Sequence, residues 1–499
     1  MNQIENDTGI TIDQLARIRA AGVAVTQRPL RDAPPDRRFP AALAAATALT
    51  YSLLALRLNR LYRTGGYDLG IFTQYAKAFA DGRPPTSPWL AKGAALSQTG
   101  PNLFGVHFSP ILVVLGPAYR LWPHTETLLL IQAALVASSV FVVARCAIGK
   151  LGSRSGCRIG VAYALSWGLQ QLVGFDFHEV AFELPFMACA LAAYLDGRHR
   201  VAAVWSVLLL LVKEDMGLTV IVLGLLLARR ARRTGIAVSI IGAAVAAVVM
   251  IVVIPHFAAT GGLGRLGPGP GPDADAGYGA TLARPWLIPV KLIWPPVKPV
   301  TVFMVLAAGG FAAATSPLIL AAVPTLLWRF TADTPSYWGV NYHYSAVLMP
   351  VTFLALVDAL CRRQALDQPP PSTRLPSAVA AFAAALCTAF PLHNLATPGF
   401  WHTPPHVTAA DAAVHEIPSG ALVATTNNLA PHLVDRTTVY PLTSIEGIDD
   451  LPQPIDWIAA DTTLPDLRTP NGKALLAQLA TDGFQTISAD DGILVLHRP

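Results

Sequence analysis

About eleven apolar stretches, parted by short arginine clusters, run along this chain, and a polypeptide patterned in that way has to fold with lipid as its solvent. Hydrophobic side chains make up 53% of the 499 residues and charged ones 13%, so the apolar surface exceeds what one soluble core could hide. The formal charge of +5 lies in short runs beside apolar segments, the pattern that orients membrane helices, and no nucleic-acid partner is expected from it. Cys146, Cys157, Cys189, Cys361 and Cys387 contain no C-x-x-C pair and point to neither disulfides nor zinc.

The expected spans cover about 40–60, 125–146, 159–175, 180–196, 201–213, 217–228, 235–254, 300–314, 316–330, 345–361 and 377–391. Several fall short of the roughly 20 residues of a full crossing. The first follows an arginine-bearing tail and lacks a small-residue cleavage site, so it reads as a retained helix. Placing that tail, Arg145/Lys150/Arg154/Arg158, Arg198/Arg200, Arg229/Arg230/Arg232/Arg233 and Arg362/Arg363 in the cytoplasm sets the parity. It requires that Phe108–Trp122, short and interrupted by Pro110 and Pro117, lie along the outer interface. Arg57, Arg60 and Arg63 resist this scheme, because they sit at the outer end of the first span; they either meet anionic head groups or mark a fault in the parity.

The resulting plan is a polytopic α-helical membrane protein of about 11 transmembrane helices in the cell membrane. A cytoplasmic tail occupies 1–39, a membrane domain 40–391 and a small external α/β domain 392–499. External loops at 61–124, with interfacial helices, and at 256–299 make the outer face the bulkier one, and no internal repeat of the transporter kind accompanies them. Within the second loop, Gly261–Gly277 has the turn chemistry of either a mobile lid or a plain connector. In the tail, short β-rich runs mark strands at Ala421–Thr426, Thr437–Leu442, Trp457–Ala460, Thr486–Ala489 and Ile493–His497, with a helix over Gly472–Ala480 and a hairpin turn at Asp491-Gly492.

Charged residues at the rim of a bilayer are costly and are therefore the places to look for chemistry. Asp68 opens a helix whose Leu69, Phe72, Ala76 and Phe79 share one face; capping explains an acid there, and an oriented carboxylate also suits a base or a metal ligand. Asp176, His178 and Glu179, with Glu183 one turn on, could hold a divalent ion such as Mg or Mn, or simply form a polar turn. Lys213, Glu214 and Asp215 interrupt an apolar run whose two ends both look cytoplasmic, which forces a turn at the outer rim. There Lys213 either pairs with a neighbouring acid or faces a phosphate. His107, Tyr342, His343 and Tyr344 lie in aromatic segments on the same side, where such rings anchor a membrane rim or line a sugar or isoprenoid groove. His124, His393, His402, His406 and His415 read as ordinary external or interfacial histidines.

The stretches YDLGIFTQYAKAFADG, GVHFSPILVVLGPAYRLWP, FDFHEVAFELP, LLLVKEDMGL, NYHYSAVLMP and ATTNNLAPHLVDRTTVYPL, in this order, resemble the DUF2079 membrane-protein family from about residue 60 to 499. That family is similar to the GT-C integral-membrane glycosyltransferases. The resemblance implies a GT-C-like fold, a polyprenyl-phosphate sugar as donor, and a carboxylate in the first external loop as base or metal ligand, with acids of the second loop joining it. Asp68 holds the first of these positions, and Asp176 and Glu179 the second. The chain departs from the pattern in having one acid at the first position where a pair is usual.

The expected activity is transfer of a sugar from a lipid-linked donor to an envelope glycan or protein acceptor at the outer face. Asp68 would serve as base, Asp176, His178 and Glu179 would hold a metal or orient phosphate, and Lys213, Glu214, Asp215, His107, Tyr342, His343 and Tyr344 would contact substrate. A non-enzymatic carrier or flippase for a lipid-linked precursor, and an envelope assembly protein, stay open as alternatives.

Overall fold

The computed structural model describes residues 37–92, 101–258, 284–365, 373–442 and 455–499, and both the N-terminal tail before residue 37 and Gly261–Gly277 fall outside them. Helix α1 (Arg38–Arg60) leads through a π turn at Gly66–Gly70 into α2 (Ile71–Ala80). After the short apolar helix Pro110–Leu121 comes α3 (Glu126–Leu151). At 1.5 Å per residue α3 is about 39 Å long, enough to cross a bilayer from end to end. There follow α4 (Ser153–Ala164), α5 (Trp167–Gly174), α6 (Glu183–Leu195), α7 (His199–Leu208), α8 (Met216–Ala228) and α9 (Arg232–Val248). The bundle is completed by α10 (Val297–Ala308), α11 (Val323–Thr331), α12 (Leu348–Ala365) and α13 (Arg374–Leu386).

Among the described residues, four stretches are long and apolar enough to cross: Arg38–Arg60, Glu126–Leu151, Arg232–Phe257 and His343–Ala365. A fifth arises if Pro285–Ile293 and α10, bent by 60° at their junction, form one broken span. Other expected spans are shorter helices, and the one placed at 159–175 breaks between α4 and α5 at Leu165-Ser166. Broken backbone at membrane depth has to find partners inside the protein. Here Gln170 supplies one, its Nε2 donating to the freed Leu165 carbonyl (2.7 Å) while its Oε1 accepts from the Leu392 amide (3.1 Å). The apolar part of the α12 stretch is 89% buried inside the protein and that of the α9 stretch only 17%, which makes α12 the central pillar and leaves α9 at the periphery.

The two ends of the bundle differ in charge. At the far end of α3, Lys150 pairs with Asp196 (3.1 Å), Arg230 lies over the Tyr194 ring (4.4 Å), and Arg362 bonds Asp358 (2.7 Å). At the near end, the loop after α1 meets both the C-terminal tail and the connection between α5 and α6, and the turn between α7 and α8 meets that connection. Short Pro110–Leu121 packs beside α2, in keeping with a segment that does not cross.

The tail begins with α14 (Pro405–Glu416) and continues into β1 (Leu422–Thr425), β2 (Thr438–Pro441), β3 (Trp457–Asp461), α15 (Pro470–Thr481), β4 (Gln485–Asp490) and β5 (Ile493–His497). Its sheet has the order β2-β1-β3-β5-β4, with β1, β2 and β3 parallel and β5 antiparallel to both β3 and β4. Asp491 and Gly492 join β4 to β5 at φ of 40° and 83°, the left-handed pair that a two-residue hairpin requires.

Arg57, one of the three arginines that resisted the parity scheme, has partners inside the protein. Its Nε donates to the Phe400 carbonyl (2.9 Å) and its Nη2 to the His402 carbonyl (2.8 Å), so it fastens the chain entering the tail to the end of α1. The C-terminal end of α1 and the tail therefore share a side. Arg57→Ala should loosen this junction by about 1–3 kcal/mol. The expected signs are a lower Tm in detergent and faster proteolytic release of the tail, and unchanged values for both would show that the two bonds carry no weight.

Candidate functional site

The turn that carries Asp68 is shaped by close approach. A Cβ on Gly65 would lie 2.7 Å from the Asn427 side chain and one on Gly66 2.6 Å from the Trp89 ring, so only glycine fits. Asn427 then holds the turn from the tail, accepting from the Gly66 amide through its carbonyl (2.8 Å) and from the Tyr67 amide through its Oδ1 (3.0 Å). The capping role expected of Asp68 is absent: no side chain caps the π turn or α2, because the π turn pairs the Gly70 amide with the Gly65 carbonyl (3.1 Å). Nor is α2 an open interfacial helix. The tail encloses it, with Gln74 Nε2 donating to the Val439 carbonyl (3.1 Å) and Lys77 Nζ to the Asp435 carbonyl (3.1 Å).

Freed from capping, Asp68 meets the connection between α5 and α6. Its Oδ1 lies 3.4 Å from His178 Nε2, and His178 Nδ1 lies 3.9 Å from Glu179 Oε2. The imidazole is stacked on His343 (ring centroids 3.5 Å apart), with Phe175 alongside both rings, 5.6 Å from His178 and 6.0 Å from His343. Buried Asp176 takes a left-handed backbone (φ 54°) and accepts from the Gly65 amide (2.7 Å) and from that of Leu69, so it braces the Asp68 turn. Gln132 of α3 fixes the same connection, donating to the Asp176 carbonyl (2.6 Å) and accepting from the His178 amide (3.0 Å).

The turn between α7 and α8 completes the cluster. Lys213 Nζ lies 2.8 Å from Glu179 Oε1, deep inside the protein. Glu214 accepts from the Phe108 amide (3.1 Å) and pairs with His107 Nδ1 (2.8 Å). A cavity of ≈ 10 Å³ behind these groups is lined by Glu183, Lys213, Asp215, Trp328, His343 and Tyr344. That is room for one water and far too little for a sugar. A substrate therefore has to approach from the open side, where Asp68 is 27% exposed and His107 36%, against 1% for Glu179 and 6% for His178.

Burial and the nearby Glu179 charge push the Asp68 carboxyl up to about 7, against the pull of Lys213. Burial would raise Glu179 as well, but Lys213, His107 and His178 hold it below the ordinary carboxylate value. Burial takes the His178 imidazole down to about 3, so it is neutral at neutral pH. Asp215 is pushed to about 7 by burial, with Glu214 adding to the shift and Lys213 opposing it.

The structure thus brings Asp68, His178, Glu179 and Lys213 into one chain of contacts and sets His107–Glu214, Asp215 and His343 beside it. Tyr342 packs edge-on to Phe175 (4.7 Å) and Tyr344 against His343 (4.0 Å). The metal trio expected from the sequence does not fit. Asp176 is occupied by backbone amides and Glu179 by Lys213, and among the described residues the trio does not present three donor atoms within 4.8 Å of one another. Gln132, Phe175 and Asn427 were not anticipated as site residues. A glutamine inside an apolar span was the available signal for the first, since polar groups at membrane depth mark functional sites.

A family model described as "Predicted membrane protein (DUF2079)" matches residues 57–495. The chain belongs to the DUF2079 family. In fold, this DUF2079 protein is similar to ArnT from Cupriavidus metallidurans in the apo state, with a TM-score of 0.51 at 14% identity over 91% of this chain and 97% of that one. The same ArnT bound to undecaprenyl phosphate aligns with a TM-score of 0.46, 14% identity and the same coverage, 91% and 97%. At such identity the likeness establishes the fold alone, an ArnT-like one. No curated protein matches the sequence.

Two outcomes follow for the DUF2079 protein. Asp68 titrates near 7 when folded against an ordinary 3.8, so the folded state binds the extra proton between those values and stability falls as pH rises through that window. Asp68→Asn should therefore raise Tm at about pH 8 and leave it nearly unchanged at about pH 4. A variant less stable than the parent at the higher pH would show that the ionised carboxylate is well compensated. Lys213→Met, which strands buried Glu179, should cost about 3–5 kcal/mol, and adding Glu179→Gln should recover part of that. Strictly additive losses on denaturation would contradict the pairing.

Proposed function

We propose that this protein is a glycosyltransferase of the GT-C kind, moving a sugar from a polyprenyl-phosphate donor to an envelope glycan or protein acceptor at the outer face of the cell membrane. The observation that carries the reading is that Asp68 is the accessible member of an otherwise buried chain of contacts, 3.4 Å from a neutral His178 and titrating near neutral pH. A group so poised can take a proton from an incoming hydroxyl at physiological pH and give it up again afterwards.

In this scheme the acceptor oxygen attacks the anomeric carbon as its proton passes to Asp68. The bond from that carbon to the phosphate oxygen breaks, and polyprenyl phosphate leaves carrying the electron pair. Lys213, held charged by Glu179, Glu214 and Asp215 although burial opposes it, offsets the negative charge that grows on the leaving group. The stacked Phe175, His178 and His343 rings keep the imidazole from turning away. The expected divalent ion is not required by these steps, and no residue is assigned to it. Membership of a predicted membrane family, the ArnT-like fold and the undecaprenyl phosphate seen on ArnT support a lipid-linked donor. Eleven crossings, with a cytoplasmic N-terminus and the tail outside, complete the proposal.

The test is purified protein in detergent or vesicles with a labelled polyprenyl-phosphate sugar and envelope acceptors. Wild type should release polyprenyl phosphate, with a rate that rises to a plateau about an apparent pKa near 7, and Asp68→Asn should lose at least about 10²-fold while remaining folded. Movement of intact lipid across the vesicle without release would sink the transferase reading in favour of a carrier.

A further inference from the structure

A second group of ligand-type side chains lies apart from the Asp68 centre, where the tail meets the start of α3. His124, Glu126 and Asp435 present one donor atom each within 4.8 Å of one another, a convergence found nowhere else among the described residues. We propose that these three residues bind a single divalent transition-metal ion of the zinc class, which fastens the C-terminal tail to the first turn of α3.

The distances favour an ion over a simple salt bridge. His124 Nδ1 and Asp435 Oδ2 are 3.5 Å apart. That is long for a charge-assisted hydrogen bond, yet close to the ~3.4 Å edge between two ligands at about 2.1 Å from a tetrahedral zinc. Each carboxylate is already aimed by neutral donors. Asp435 accepts from the Tyr119 hydroxyl (3.1 Å) and the Thr125 amide (3.3 Å), and Glu126 from Asn59 Nδ2 (3.2 Å) and the Thr125 hydroxyl (3.4 Å). Hydrogen bonds of this kind orient metal-binding carboxylates without removing their charge.

The charges facing Asp435 leave a place for a cation. Lys77 reaches the Asp435 backbone carbonyl rather than its carboxylate, and Glu126 adds a second negative charge beside it. A further observation points the same way. The Nε2 of His432, three residues before Asp435, is sealed from solvent and has no hydrogen-bond partner, and Glu126 is the foremost charge acting on that ring. A buried imidazole nitrogen left without a partner, near the Glu126 carboxylate, calls for an electropositive neighbour. The donor set chooses among ions: imidazole nitrogen with two carboxylates suits zinc, whereas calcium and magnesium favour oxygen throughout. Half-exposed His124 would leave one coordination position to water.

The test uses the full-length protein in detergent, stripped with a chelator, exchanged into metal-free buffer and titrated with zinc chloride alone. One equivalent of zinc should bind per chain and raise Tm. His124→Ala, which changes an exposed side chain and should fold normally, should weaken binding about tenfold or more. Asp435→Asn, which keeps an acceptor for Tyr119 but removes the charge, should do the same, while Asp68→Asn should leave zinc affinity unchanged. The proposal is overturned by the absence of saturable binding, by binding indifferent to His124→Ala, or by binding that follows Asp68 instead. Because metal content and Tm are read directly, these outcomes stand apart from whether sugar transfer occurs.

Discussion

Lys213 and Glu179, 2.8 Å apart and shut away from solvent, set the electrostatic terms for this end of the bundle. Taking either charge out of water alone would be prohibitive, so each is tolerable only because the other is there. The pair ties the turn between α7 and α8 to the connection between α5 and α6, two segments that sequence alone leaves about thirty residues apart. It also bears on the state of Asp68. Burial raises that carboxyl most, and the Glu179 charge, felt more strongly than that of Lys213, adds to it, so Asp68 holds its proton up to about pH 7. A second lysine near Asp68 would lower that value and leave a permanently ionised, weaker base.

The C-terminal tail is part of the site rather than an appendage to it. Asn427 shapes the glycine turn from which Asp68 projects, Gln74 and Lys77 of α2 bond to tail carbonyls, and Arg57 pins the chain at Phe400 and His402. Tyr62 adds a stacked contact with His432 (3.8 Å) and a hydrogen bond to Asp411 (2.7 Å). Since the first loop makes so many of its bonds to the tail, removal of the tail would release the turn itself. Strand β2 and the connection that joins it to β1 provide most of these contacts, which gives the small sheet a positioning role for Asp68.

Much of this was legible beforehand, and the parts that were not share a cause. Period-two runs and the Asp491-Gly492 turn located the five strands to within a residue or two, because local backbone chemistry alone decides them. Long spans such as α3 and the α12 stretch were equally plain. The shorter expected spans were not resolved as breaks and turns, since hydropathy reports how apolar a segment is and not whether its helix persists; Leu165-Ser166 is invisible until Gln170 is seen to satisfy it. The meeting of Asp68, His178, Glu179 and Lys213 could be guessed from their common side of the membrane. Their roles could not: Asp176 looked like a ligand and is a brace, Asp68 looked like a cap and caps nothing, and His124 looked ordinary until Asp435 was seen beside it. Partners hundreds of residues apart are set by tertiary packing, about which a local pattern is silent.

The same logic accounts for the aromatic loop beside the site. Arg329 is fully buried, and among the described residues no carboxylate pairs with it: its guanidinium donates to the carbonyls of Tyr337 (2.7 Å), Gly339 (2.8 Å) and Tyr344 (3.3 Å) and to Ser345 Oγ (3.0 Å). A rigid fork of five donors can gather four acceptors spread along this loop, more than the three donors of a lysine offer from a single point. That grip holds the chain through Tyr342, whose left-handed backbone (φ 63°) is unfavourable for a side chain of its size and persists only where neighbours over-determine it. The result is that His343 is pressed flat on His178 at 3.5 Å. With Phe175 beside the stacked pair and burial keeping it neutral, His178 is held in place without a charge, and the member of its chain of contacts that is open to a substrate is the carboxylate of Asp68.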